Sequence, residues 1–315
     1  MILTVTLNPA IDKILYLKDF HLHKLHRLED GDMSLISPGG KGVNIALNLK
    51  RLGNEVITSG FVSGNAGHML CDALQQEGIT TSFIFTPGFT RTNLAILDRN
   101  NETLTEINDF GEHIGQDDID FFLEHFETLL NRIDLLIFAG SLPFGVNEEI
   151  LKAMVEMART KSIKTMVHAL PKYTQSLLEA SPFLIVPDMR SHYKLLGNPV
   201  DGIDQYLETG KKILEQSPFT EWAIFINRIE NVVAVSRHQS YVIRPKNLKI
   251  VNMLGYGDAY FAGFVHAYLQ NWPEITILQY ASACGLTNVE DLYKEIRDAQ
   301  AIENNLYRIE VEEVG

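Results

Sequence analysis

Short apolar runs alternate with helix-length amphipathic segments along most of this 315-residue chain. Strands are expected at Ile2–Leu7, Val56–Val62, Leu135–Ala139, Thr165–His168, Phe183–Val186 and Trp222–Ile226. Helices are expected at Val43–Leu52, Asp117–Leu130, Glu148–Lys161 and Tyr206–Glu215. In the first of these, Ile45, Leu49 and Leu52 recur at i, i+4 and i+7, and Val43, Ala46 and Leu47 widen the apolar face. Such alternation predicts an α/β fold with a mainly parallel central sheet and helices on both faces. Ligands of such sheets bind beyond the carboxyl ends of the strands.

Two segments break the alternation, at about 12–36 and 88–110. The first carries no helical period. The second reads as a hairpin, TNLAILD then ETLTEIN, turning at Arg99 to Asn101. Together they predict a small β-sheet lid inserted into a single domain spanning 1–315. A small sheet cannot bury both faces by itself, so it should cover a site or pair with another subunit. A homodimer through the lid sheet is the expectation.

Composition then removes whole classes of function. Lys plus Arg is 27 and Asp plus Glu is 40, a net charge of −13. A surface that acidic repels phosphate backbones, which argues against nucleic-acid binding but leaves room for a local pocket for a small anion. Cys71 and Cys284 are far apart without CxxC spacing, as in a reducing compartment. The start, MILTVTLNPAID, has no signal-peptide pattern, and no apolar run is long enough to span a membrane. A cytoplasmic location is expected.

The chemistry concentrates in a few stretches. LGYGDAYFAGF, residues 254–264, opens a helix, whose first backbone N–H groups are unpaired and attract anions. Asp258 could cap that helix or take a proton. SPGGKGVNIA, residues 37–46, is a second glycine-rich helix entry, with Gly39, Gly40 and Gly42 freeing the backbone and Lys41 supplying a cation. TLNPAID ends the first strand and aims Asp12 at the ligand face; TRTN carries Arg91 and Asn93 at the base of the lid; AGSLPFG closes a buried strand at Ser141. The order GxxxxGK[ST] is absent, as are HExxH, GxSxG and a GxGxxG after the first strand. His21, His23 and His26 read as lid surface rather than metal ligands, and no residue is assigned to a metal.

TLNPAID, GGKGVNIA, TRTN, TEIN, AGSLPFG and LGYGDAYFAGF together resemble the PfkB (ribokinase-like) carbohydrate kinases, in the branch of 1-phosphofructokinase and tagatose-6-phosphate kinase. The resemblance runs from Ile2 to about Val289 and implies ATP and Mg²⁺. It implies Asp258 as general base, with the N–H groups of Gly255, Tyr256 and Gly257 as anion hole. Asp12, Asn44 and Asn108 would bind sugar hydroxyls. Lys41 and Arg91 would hold the phosphate already on the sugar, helped by Ser141, with Gly39, Gly40 and Asn93 beside them. Adenine would lie against Ala281, Ala283 and Gly285.

Four departures fall on the nucleotide and metal side. GAGD is GYGD here, and NxxE becomes a stretch with Asp188 and Ser191. A strand ends in Asn227 without glycine, and His168 stands where an Asp is usual. The function implied is an ATP-dependent kinase for a ketohexose monophosphate, fructose 1-phosphate ahead of tagatose 6-phosphate. A weakly catalytic sugar-phosphate sensor and a kinase for unphosphorylated sugars or nucleosides are the alternatives.

Overall fold

The computed structural model describes residues 1–190 and 194–314, with the backbone alone at 227 and 228. The chain opens with β1 (Ile2–Thr6), β2 (Ala10–Leu17) and β3 (Met33–Gly39), then α1 (Lys41–Arg51), β4 (Val56–Val62) and α2 (Gly64–Gln76). Next come the short strands β5 (Thr80–Thr81) and β6 (Ile84–Phe85), the hairpin β7 (Arg91–Asp98) and β8 (Thr103–Ile107), and α3 (Gln116–Leu130). The middle holds β9 (Leu135–Gly140), α4 (Glu149–Thr160), β10 (Lys164–Ala169), α5 (Thr174–Ala180) and β11 (Leu184–Pro187). A two-strand turn, β12 (Lys194–Leu195) and β13 (Asn198–Pro199), precedes α6 (Ile203–Gln216). The last part is β14 (Trp222–Arg228), β15 (Asn231–Ser236), β16 (Ser240–Pro245), α7 (Tyr256–Leu269), α8 (Glu274–Val289), α9 (Gln300–Leu306) and β17 (Ile309–Val314).

The main sheet runs β17-β16-β15-β14-β11-β10-β9-β1-β4-β5, with β6 also on β4. From β14 to β5 the pairs are parallel; β14 to β17 form an antiparallel wing. Side chains of a strand alternate between faces, and β9 divides accordingly. Leu135, Ile137 and Ala139 join the core under α1, α7 and α8; Leu136 and Phe138 join the core under α3, α4 and α6. Burial on both faces is why these strands read as unbroken apolar runs.

The lid is a separate sheet in the order β3-β2-β7-β8, with β2 and β7 parallel and the outer pairs antiparallel. Its strands extend the predicted first segment by a few residues, from Ala10 to Gly39. Ile14, Tyr16, Ala95 and Leu97 pack under it with Leu254, seating it beside the start of α7. No helix among the described residues is long and apolar enough to cross a membrane.

Candidate active site

A cavity of about 340 Å³ opens between the lid and the carboxyl ends of β1, β9, β10 and β11, as the parallel topology predicts. A larger one, about 580 Å³, lies at the other end of the sheet near Lys164, Phe183 and Trp222. None of the residues singled out from the sequence lines it, so size does not mark the site here.

At the inner wall α7 begins. Gly255 holds φ +82°, and a Cβ there would sit 2.2 Å from the carbonyl oxygen of Lys294, so only glycine fits this turn. The first turn of α7 carries no side-chain cap among the described residues. The N–H groups of Tyr256 and Gly257 are therefore open to an anion. Asp258 is buried and does not cap the helix. Its Oδ2 accepts a hydrogen bond from Asn44 Nδ2 (2.8 Å), while Oδ1 has no hydrogen-bond partner. The Asn44 side-chain oxygen is likewise buried and unpaired.

Lys41, the first residue of α1, turns toward this end. Its Nζ lies 3.1 Å from Asp188 and 3.7 Å from Asp258 Oδ1. His168 completes the group. Its Nδ1 is 3.0 Å from the Val186 carbonyl, which can only accept, so Nδ1 carries the proton. Nε2 is then a lone pair accepting from Lys41 Nζ at 3.3 Å. Burial pushes the His168 imidazole down to about 4, and the Lys41 charge pushes the same way against Asp188 and Asp258. Burial alone would raise the Asp188 carboxyl; Lys41 and Arg190 outweigh it and hold that group well below the usual carboxylate range. Both Lys41 and Arg190 line the cavity.

At the lid end, Asp12 Oδ1 accepts from Asn93 Nδ2 (2.9 Å), and its other oxygen meets the ammonium of Lys294. Lys294 also reaches the Pro38 carbonyl on β3, pinning two lid strands to the segment after α8. Gly39 leaves room for this, since a Cβ there would overlap the Asp12 carboxylate. Asn108 lines the same wall, and Gly40 lines the floor at the head of α1. Arg91 is half-buried and donates to the carbonyls of Asn8 and Asp109, leaving one free N–H on each terminal nitrogen. Asn8 Nδ2 donates to Ser141 Oγ at 3.4 Å.

Two placements differ from expectation. Lys41 does not stand with Arg91 as a second arm of one phosphate clamp, because Asp188 and Asp258 draw its ammonium to the reacting end. Ala281, Ala283 and Gly285 are buried between α7 and α8 and do not line the cavity. The Tyr256 ring packs directly on Gly285, where a Cβ would meet it at 2.6 Å, and burial pushes its phenol up. The side chain of Asn227, and Ser191 altogether, lie outside the described residues. Lys294, Arg190, Asn8 and Glu106 line the cavity without having been read from the sequence. Lys294 follows the helix containing Gly285 and could have been sought as the counter-charge of Asp12.

Residues 8–294 match the family described as pfkB family carbohydrate kinase. A crystal structure from Thermotoga maritima, described as "Possible 1-phosphofructokinase", has 31% sequence identity and a TM-score of 0.93, over 100% of this chain and 99% of that one. Phosphofructokinase-2 from Escherichia coli, in complex with substrates and products, has 18% identity and a TM-score of 0.85, over 97% and 98%. At that lower identity the likeness speaks for the fold alone. The arrangement of sheet, lid and anion-binding helix is that of an ATP-dependent sugar kinase. The chain belongs to the pfkB family of carbohydrate kinases.

Proposed function

We propose that this enzyme transfers the γ-phosphoryl group of MgATP to a hydroxyl of a ketohexose monophosphate, converting fructose 1-phosphate to fructose 1,6-bisphosphate. The observation that carries the reading is the pair of buried, unpaired acceptors, Asp258 Oδ1 and the Asn44 side-chain oxygen, facing the cavity at the start of α7. A buried acceptor without a donor costs on the order of 1–3 kcal/mol, which a substrate hydroxyl would recover by donating.

The acceptor hydroxyl lies against Asp258. As its oxygen forms a bond to the γ-phosphorus, its proton passes to Asp258 Oδ1, and the bond from phosphorus to the bridging oxygen breaks with its electrons going to ADP. The N–H groups of Gly255, Tyr256 and Gly257 stabilise charge on the moving phosphoryl group. Lys41 supplies a cation at the same end. Asp12, positioned by Asn93 and Lys294, and Asn108 take sugar hydroxyls. Arg91, with Asn8 and Ser141, holds the resident phosphate.

Magnesium enters with the nucleotide. Among the described residues no three His, Cys, Asp or Glu side chains converge on one point, and Asp188 already has both oxygens engaged by Arg190 and Lys41. The described side chains thus offer no ready-made metal cluster, and magnesium would arrive as part of the MgATP substrate.

Asp258→Asn keeps the shape and can face Asn44 but cannot take the proton. kcat should fall at least about 10²-fold while MgATP and sugar phosphate still bind, by single-turnover kinetics and calorimetry. A kcat within a few-fold of wild type would make Asp258 a structural residue.

A further inference from the structure

Arg190 stands just past the end of β11, where Asp188 is fixed by donating its backbone N–H to the Ala169 carbonyl (2.8 Å). The guanidinium lies edge-on to that carboxylate, with Nε 3.0 Å from Oδ1 and NH2 3.2 Å from Oδ2. This two-pronged geometry fixes the plane of the guanidinium as well as its position. Asp188 is buried, whereas the Arg190 side chain is 49% exposed and lines the active-site cavity. Its charge is close enough to that of Asp258 for the two to interact.

Among the described residues, the other arm of Arg190 meets only Glu106, across the cavity on lid strand β8. That contact, NH1 to Oε2 at 3.5 Å, is at the limit of a hydrogen bond. An ion pair this long and this exposed contributes little, so an anion entering the cavity could take the arm away from Glu106 at small cost. The same Asp188 carboxylate also draws Lys41 Nζ. One buried anion thus presents two cations to the space beside Asp258 and the α7 N-terminus, while Asp188 itself offers no vacant oxygen to a metal.

We infer that Arg190 is a catalytic residue, contacting the phosphoryl group as it moves and stabilising its equatorial oxygens through the arm that otherwise rests against Glu106. The inference rests on the phosphoryl-transfer function proposed above. Arg190 exchanges no atoms in the step. The acceptor oxygen bonds to phosphorus, its proton goes to Asp258, the leaving electrons go to ADP, and Arg190 donates hydrogen bonds throughout. Charge that grows on the transferring group is where an arginine acts most strongly.

The test compares wild type with Arg190→Gln and Arg190→Lys in kcat, in affinity for ADP, and in affinity for ADP with aluminium fluoride and acceptor, a mimic of the transferring phosphoryl group. Wild type is first assayed for ADP release with fructose 1-phosphate, fructose 6-phosphate, tagatose 6-phosphate and unphosphorylated sugars. Transfer to none of them defeats the proposed function, and this inference with it. Given transfer, Arg190→Gln should lose at least about 10²-fold in kcat and in affinity for the mimic, while ADP affinity stays within about 3-fold. An unchanged kcat, or parallel losses for the mimic and for ADP, would overturn the inference and leave the function standing. Arg190→Lys keeps the charge and a partner for Asp188 and should lose at least about tenfold in kcat, since a point charge replaces a fork. If the Gln variant fails to fold, a Lys variant with full kcat overturns the inference by itself.

Discussion

His168 illustrates how a single residue can be read from sequence as a departure yet acquire meaning only in three dimensions. Lys41 and Asp258 were legible because glycine-rich helix entries announce them. Their link through His168 was not, since the chain separates Lys41 from His168 by 127 residues. The imidazole is buried with Phe261 stacked on it at 5.8 Å, and it stays neutral because a charged ring would face burial and the Lys41 ammonium together. A histidine held down to about 4 has a clear consequence for stability. Below its ordinary value of about 6.5 the unfolded chain binds a proton that the folded chain refuses, so stability is lost as pH falls from there through about 4. The shift corresponds to at most about 3 kcal/mol. The downward shift at Asp188 acts in the same direction but below this window, because its stabilisation disappears only as pH falls below the ordinary carboxylate range. Urea unfolding of wild type and His168→Asn at several pH values should give a steeper loss for wild type between about pH 6.5 and 4. Parallel curves would mean that His168 titrates alike in both states.

At the scale of elements, the lid has two unlike faces. Register sets Asp12 opposite Asn93 on the face toward the cavity. One residue along, Lys13 lies opposite both Ile36 and Leu94, and Leu94 opposite Ile107, forming a row across all four strands on the other face. Ile36 is 61% and Ile107 57% exposed, which is unusual for side chains of this kind aligned on one sheet. A second lid seated on this face would bury them, each contributing about 1.5–3 kcal/mol. The enzyme should therefore be a homodimer through the lids, and Ile36→Lys with Ile107→Lys should leave a monomer by light scattering at micromolar concentration. A wild-type monomer with substrate present would contradict this. The hairpin itself was readable, because strict alternation and the turn at its tip are local properties. The way Lys294 holds the lid was not, since it joins a residue of the twelfth position to one near the chain's end.

For the whole molecule, the buried parallel strands were the most legible part, with Val56–Val62 matching to the residue. Continuous apolar runs follow directly from burial on both faces. The antiparallel wing β15 to β17 went unread, because β17 mixes Glu310, Glu312 and Glu313 with apolar residues and is defined by its pairing with β16. The nucleotide side was read from resemblance, and no local pattern in the sequence announces the packing of Tyr256 on Gly285. A molecule of net charge −13 acting as proposed must also attract two anionic substrates. Under the proposed function it would do so through local cations, with Arg91 holding the phosphate that the sugar already carries. The most direct test is the specificity of the intact enzyme, measured as kcat/KM by coupled ADP release with fructose 1-phosphate, fructose 6-phosphate, tagatose 6-phosphate, fructose and ribose. Loss of a buried charge contact costs about 2–5 kcal/mol, so fructose 1-phosphate should lead and fructose should trail it by at least about 30-fold. Equal use of fructose and its phosphates would contradict the assignment of a sugar-phosphate site.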